Sequence, residues 1–312
     1  MPADLNDSPL APAEADEVPP GGEIVIRRRR RDLGGFEVGR VLPFAKRRMV
    51  GPFIFLDEMG PATFAPGEGI DVRPHPHIGL ATVTYLFDGE IRHRDNLGCD
   101  EIIRPGDVNW MTAGQGVVHS ERTDAGLRTR GHRLHGLQSW VALPDDAETT
   151  EPDFHHHGKE TLPAFDEGGA RFTLIAGSAF GETSPVRIFS PMFYVHVEAP
   201  AGARIALPDA YAERALYLIE GRLSIGGTAC EKERLVAFSK GSAPEITAQT
   251  PARLMLLGGE PIGERVIWWN FVASSEERID AAKVDWSAAA KRGFENAAFS
   301  LPPGESEFIP LP

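Results

Sequence analysis

Two stretches decide how this chain is read: Gly69-Ile-Asp-Val-Arg-Pro-His75-Pro-His77-Ile-Gly-Leu-Ala-Thr-Val-Thr-Tyr-Leu-Phe-Asp-Gly89, and Gly114-Gln-Gly-Val-Val-His119-Ser-Glu121. In extended backbone, residues two apart project to the same face. His75 and His77 therefore share a face, and so do His119 and Glu121. Pro74 and Pro76 cannot donate to a sheet ladder, which puts the first pair on a strand edge or an extended segment at a barrel mouth. Gly114 and Gly116 let the chain bend back toward the same space. One His-x-His alone is better read as barrel-lining or surface histidine. Two pairs on successive strand segments point instead to one divalent metal ion held by His75, His77, His119 and Glu121. Three imidazoles and a carboxylate suit Fe, Ni, Cu, Co, Mn or Zn and are too nitrogen-rich for Ca or Mg. With octahedral geometry, two positions stay open for substrate or dioxygen.

Working outward, residues 21–145 are short apolar runs broken by turn residues. Ile24–Ile26, Thr82–Phe87, Val108–Met111 and Gln138–Leu143 read as strands, punctuated by Gly89, Gly98 and Pro105-Gly106. Residues 145–170 read as a polar connection, and a second series of apolar runs follows. The two series echo each other: Tyr85-Leu-Phe-Asp-Gly-Glu-Ile91 aligns with Tyr217-Leu-Ile-Glu-Gly-Arg-Leu223, and Val108-Asn-Trp-Met with Val236-Ala-Phe-Ser. Closing each sheet removes exposed edges, so two tandem β-barrels are the simplest architecture. Near the end, Ser274 and Glu277 suggest a capping box. Ile279, Ala282, Trp286 and Ala289 recur at helical spacing, and Gly293 supplies a stop. The expected fold is all-β: two jelly-roll-like barrels with a C-terminal α-helix over roughly 275–291. The expected divisions are a disordered tail (1–20), a metal-binding barrel (21–145), a degenerate barrel (146–273) and a helix with an extended or mobile tail (274–312).

Composition narrows the function classes. The 312 residues suffice for two domains, and a net charge of −13 argues against binding nucleic acid through phosphate neutralisation. The two cysteines, Cys99 and Cys230, form no CxxC, which fits a reducing cytoplasm rather than a disulfide framework. The N-terminus lacks the basic start and apolar stretch of a signal peptide, and no run is long enough to span a membrane.

Gly69-x5-His75-x-His77-x4-Thr82-x6-Gly89 resembles the first motif of the cupin superfamily, with Thr82 where many cupins carry a Glu ligand. Arg73 to Tyr85 and Arg104 to Glu121 resemble the pirin family more specifically, as do Asp32-Leu-Gly-Gly-Phe36, Gly51-Pro-Phe-Ile-Phe-Leu-Asp57 and Trp269-Asn-Phe-Val. The resemblance spans about residues 24 to 292. It implies a bicupin whose N-terminal barrel holds one metal, usually iron, through His75, His77, His119 and Glu121, with Glu121 replacing the ligand missing at Thr82. Some members of that family are flavonol dioxygenases that open quercetin and release carbon monoxide; others are described as transcriptional co-regulators or partners of metabolic enzymes.

The second barrel shows no matching site: Leu207, Asp209 and Glu213 stand where the first copy carries its His pair. His93 is read either as a pocket group or as a solvated loop residue. His135 and Gln138, placed before a strand, are not read as ligands. His155–His157 read as an exposed loop. The basic run Arg27–Arg31 reads as a solvated strand paired with nearby acids. Phe53, Phe55, Trp110 and Met111 read as barrel core. The leading functional expectation is an Fe(II)-dependent dioxygenase acting on a flavonol and O2, in which Glu121 also takes the substrate hydroxyl proton. The alternative is an iron-bearing, redox-sensitive regulator that binds a protein partner, with Arg27–Arg31 as its local hint. A metal-dependent isomerase or lyase is the third option.

Overall fold

The computed structural model describes residues 16–32, 36–295 and 297–312. The disordered tail expected at 1–20 lies outside these residues up to position 15. The part that is described is tied down: Asp16 pairs with Arg27 at 2.7 Å and Arg234 at 2.8 Å. Leu33 to Gly35, within one motif of the resemblance, also fall outside.

Two barrels stack back to back. The first joins a seven-stranded sheet to a four-stranded one. The large sheet runs Asp153–His157, Val108–Thr112, Leu80–Asp88, His132–Ala142, Phe53–Phe64, Glu37–Leu42 and Arg29–Asp32. The smaller runs Asp71–His77, Val117–Arg122, Ile91–Asp95 and Asp100–Ile103. The second barrel repeats this plan with an eight-stranded and a three-stranded sheet. The repeat read from sequence is structural. The strands Leu80–Asp88 and Glu213–Glu220 occupy equivalent places, and each ends at a glycine with positive φ, Gly89 (+85°) and Gly221 (+87°). A Cβ there would run into the carbonyl of Arg133 or Pro251, so only glycine fits both turns.

Alternation along these strands places the cores. Ala81, Val83 and Tyr85 join Leu137, Val141, Tyr194, Ala215 and Tyr217 in the layer between the barrels. Leu80 and Leu86 point the other way, into the first barrel. The second barrel's interior is filled by Phe172, Leu174, Phe193, Leu216, Leu218, Phe238, Leu254 and Leu256. Phe53, Phe55, Trp110 and Met111 are core, as expected.

Sheet membership does not follow the expected boundary at 145/146. Gly22–Arg27 pairs with Arg234–Phe238 and so belongs to the second barrel's sheet. Asp153–His157, inside the supposed polar connection, pairs with Val108–Thr112 in the first. Each half thus lends an edge strand to the other, covering an otherwise open row of backbone groups. His155 and His156 are exposed as expected, but on a strand and not a loop.

The helix spans Glu276–Lys291 and buries Ile279, Ala282, Trp286 and Ala289, the stripe expected from spacing. The capping box does not form: Ser275 is the N-cap and makes no side-chain cap bond. Ser274 is recruited by Glu148, donating through its hydroxyl at 2.8 Å and its amide at 2.9 Å. The hairpin Val266–Trp268 and Phe271–Ala273, expected in the second barrel, packs with the helix on the first: Phe271, Ala273, Ile78 and Val118 share one cluster. The C-terminal tail is pinned there too. The Ile309 amide donates to Pro74 at 2.8 Å, and Glu305 accepts from Ser120 at 2.8 Å and from Arg122 at 2.9 and 2.7 Å.

Candidate metal centre

The strands Asp71–His77 and Val117–Arg122 pair antiparallel, with His119 opposite His75 and an irregularity between His119 and Glu121. The register brings both candidate pairs to one inward face. His75 and His77 are 0% exposed, His119 1% and Glu121 2%. Donor atoms of the three histidines lie within 4.8 Å of one another; Glu121 lies outside that tight group.

Backbone carbonyls orient two of the rings. His75 Nδ1 donates to Arg73 O at 2.9 Å, and His77 Nδ1 to Asn270 O at 3.0 Å. An imidazole whose Nδ1–H is so engaged keeps its lone pair on Nε2, the tautomer a metal ligand needs. The third ring is oriented by side chains. His119 Nδ1 lies 3.4 Å from His93 Nδ1, and His93 Nε2 donates to Asp95 Oδ2 at 2.9 Å. Asp95 Oδ1 in turn accepts from the amides of Leu97 (3.0 Å) and Cys99 (3.1 Å). His119 Nε2 is left facing His77 Nε2 at 3.1 Å. Burial pushes all three imidazoles well below the ordinary histidine value, so they stay neutral, and for His119 the neighbouring rings add to this.

Glu121 is loosely held. Oε1 is 3.5 Å from the Thr84 hydroxyl, which is closer to Gln138 Oε1 at 3.0 Å. Glu121 Oε2, Gln138 Nε2 and Trp140 Nε1 are buried without any partner. On this strand Thr84, not Thr82, is the residue that meets the carboxylate. Trp140 meets His77 edge-on at 5.1 Å and stacks on Phe55 at 4.1 Å. Behind Phe55 sits a buried ion pair, Arg40 to Asp57 at 2.9 and 2.8 Å.

The donor set fits a divalent metal ion. Two neutral imidazole nitrogens face each other at hydrogen-bond distance, a third ring lies close by, and a buried carboxylate oxygen is without a partner. An ion among them would satisfy these atoms together.

Other expectations resolve from the geometry. His93 is a buried strand residue, 4% exposed, and supports His119. The reading from sequence missed Asp95, although His93 and Asp95 carry the same two-residue spacing as the ligand pairs. His93, Asp95 and Cys99 form a second close group. It is a poor metal site: Asp95 is fully engaged, and burial pushes the Cys99 thiol up to about 12. Gln138 and His135 lie within a strand, not before one. Gln138 faces the centre, whereas His135 turns to the other barrel and bonds Glu58 at 2.9 Å. The basic run is only partly solvated: Arg28 pairs with buried Glu58 at 2.9 Å, and Arg29 donates to Pro43 O and lies 5.2 Å from the Phe44 ring.

Two stacked barrels, one apolar inside and the other lined by clustered imidazoles, define a two-domain cupin. The Pirin family profile matches residues 35–141, and that of the Pirin C-terminal cupin domain residues 194–292. A pirin-like protein of Caulobacter vibrioides is 51% identical over 294 residues, covering 93% of this chain and 99% of that one. The chain therefore belongs to the pirin family. A Pseudomonas aeruginosa protein provisionally named a quercetin 2,3-dioxygenase is 39% identical over 278 residues, covering 86% of each chain. The crystal structure of quercetin 2,3-dioxygenase from Acinetobacter baumannii superposes with a TM-score of 0.83 at 32% identity, covering 92% of this chain and 94% of that one. The Escherichia coli pirin YhhW, solved in complex with nickel(II), shares the fold at 18% identity, with a TM-score of 0.61 over 76% of this chain and 99% of that one.

Proposed function

We propose that this protein is a metal-dependent dioxygenase that opens a flavonol such as quercetin with O2 and releases carbon monoxide. His75, His77, His119 and Glu121 would hold the metal, which we assign as Fe(II). The observation that carries the reading is the close group of three buried, neutral imidazoles, with the partnerless Glu121 Oε2 on the same strand as His119. The ion would supply a Lewis acid for the flavonol's oxygens and a redox centre for dioxygen. The chain's own residues supply the rest. Glu121, restrained only by a long contact to Thr84, accepts the substrate hydroxyl proton. Gln138 Nε2 and Trp140 Nε1, donors without acceptors, are available to substrate oxygens. The imidazoles are closed to solvent, so a substrate of flavonol size enters only when part of the barrel mouth moves. The two free cysteines fit a reducing cytoplasm, and among the described residues no helix is long and apolar enough to cross a membrane.

The test is turnover of quercetin by the Fe(II)-loaded protein, with and without O2, with carbon monoxide assayed. Oxygen-dependent loss of quercetin with matching carbon monoxide is expected. Loss of activity is expected in Glu121→Gln, whose neutral amide cannot take the proton. An iron-loaded protein that leaves quercetin intact in air refutes the assignment.

A further inference from the structure

On the opposite face of strand Leu80–Asp88 from the metal centre, where the barrels meet, lies a cavity of about 320 Å³. That is near the lower end of the range for small-molecule sites, about 300–1,000 Å³. Tyr85, Phe87 and His196 line it. His196 is 8% exposed, and its Nδ1 lies 3.0 Å from the Tyr85 hydroxyl. Burial pushes the His196 imidazole down to about 3 and the Tyr85 phenol upward, so both are neutral. With the phenol donating to Nδ1, one of the two arrangements open to this pair, the imidazole proton sits on Nε2. That nitrogen is buried without a partner. Nothing in the metal chemistry uses it, and buried donors are rarely left unsatisfied.

The surrounding charge leaves one cation for an anion. Lys159, Arg171 and Arg253 line the cavity together with Glu198. Arg171 pairs with Asp166 at 3.2 Å, and Arg253 with Glu198 at 3.4 Å and Glu220 at 3.5 Å. Lys159 has its stem against Gly106 and makes no side-chain ion pair among the described residues. Arg253 also lies over the Phe87 ring at 5.0 Å. Phe87 is 5.1 Å from the His196 ring, which offers an aromatic wall beside the unpaired donor.

We propose that this inter-barrel cavity is a second small-molecule site that takes a small aromatic carboxylate. Its carboxylate accepts a hydrogen bond from His196 Nε2–H and pairs with Lys159, and its ring packs on Phe87. This site is separate from the metal centre and does not depend on the reaction proposed above.

The test is ligand-observed fluorine NMR on the full-length, metal-loaded protein with 4-fluorobenzoate as probe. Saturable broadening is expected, with 4-fluorobenzamide at least tenfold weaker because it lacks the charge. His196→Phe, which keeps an aromatic ring but removes the donor, should weaken 4-fluorobenzoate at least tenfold. Lys159→Met, a surface change that leaves the fold intact, should weaken it severalfold. Chelator-treated protein should bind as well as the loaded protein. Absence of saturable binding overturns the proposal, and so does equal binding by both variants. Loss of binding on metal removal also overturns it, because the carboxylate would then be at the metal. Displacement by inorganic phosphate at lower concentration than unlabelled benzoate would overturn the aromatic assignment.

Discussion

Replacing Asp95 with Asn tests whether the third imidazole is oriented through a chain of side chains. In the native protein Asp95 Oδ1 accepts two amides and Oδ2 accepts His93 Nε2–H. Asparagine keeps the two amide bonds only by placing its carbonyl oxygen at the Oδ1 position. Its NH2 group then faces His93 Nε2, which must become an acceptor. The His93 proton moves to Nδ1 and is donated to His119 Nδ1, 3.4 Å away. His119 must then carry its proton on Nε2, the atom that faces His77. One buried oxygen-to-nitrogen exchange thus blocks a ligand lone pair two residues removed, while nearly all packing is kept. Losing the partner that orients a metal-bound imidazole typically weakens metal binding about 10–100-fold, or about 1.4–2.7 kcal/mol. Chelator-competition titrations with Zn(II), which has no redox chemistry, and with Fe(II) under anaerobic conditions measure this. The melting temperature of the metal-free protein should stay within a few degrees of wild type. A folded Asp95→Asn protein that binds both metals with wild-type affinity would refute the relay.

Three further outcomes follow from buried charge. Arg40→Leu leaves Asp57, which is 0% exposed, as an unpaired charge in the barrel, at a cost of about 3–5 kcal/mol in urea unfolding, and Arg40→Leu with Asp57→Leu should recover most of it; a single-variant loss below about 1 kcal/mol contradicts this. Burial lowers His75, His77 and His119 in the folded state, so below the usual histidine value of 6.5 the unfolded chain binds more protons than the folded one. The melting temperature of metal-free protein should therefore fall as pH drops from 7 to 5, and a flat profile would count against neutral buried imidazoles. Glu305→Ala removes three charge-assisted bonds to Ser120 and Arg122 beside His119 and Glu121 on Val117–Arg122. It should cost about 1–3 kcal/mol and speed amide exchange along that strand, and unchanged exchange would show that the tail does not brace the site.

What the sequence made legible was local or periodic. Two-residue spacing put His75 with His77 and His119 with Glu121 on one face, because strand geometry fixes that relation wherever the strand goes. The stripe Ile279, Ala282, Trp286 and Ala289 fixed the helix in the same way. The strand exchange was not legible. Ile24–Ile26 reads as a strand, but which sheet edge it joins depends on Leu235 and Val236, some two hundred residues away. The capping box failed for a related reason: Glu148, 5% exposed, needs donors and takes Ser274 for them. Arg28 looked like part of a solvated charge run because the carboxylate that buries it, Glu58, belongs to another strand. His93 was undecided for the opposite reason. Its spacing to Asp95 was visible, but a polar Arg-His-Arg-Asp context resembles a surface until Phe154, lent by the exchanged strand, stacks on the ring at 4.5 Å.

The asymmetry between the barrels has an energetic logic. The first barrel carries Glu121 Oε2, Gln138 Nε2 and Trp140 Nε1 without partners and three imidazoles held against their charged form. Each unsatisfied buried group costs about 1–3 kcal/mol until a ligand meets it, so these groups work against the apolar clusters that hold this barrel together. The second has the same plan with Phe172, Phe193, Leu216 and Phe238 in its interior, and among the described residues it holds no close group of His, Cys, Asp or Glu donors. The two are joined by the apolar layer around Leu137, Val83, Tyr194 and Tyr217 and by two exchanged strands. Cutting the chain at 145/146 would take an edge strand from each barrel and expose that layer on both. The apolar barrel is best understood as the scaffold that lets its polar twin keep a buried cluster of imidazoles and unpaired polar groups.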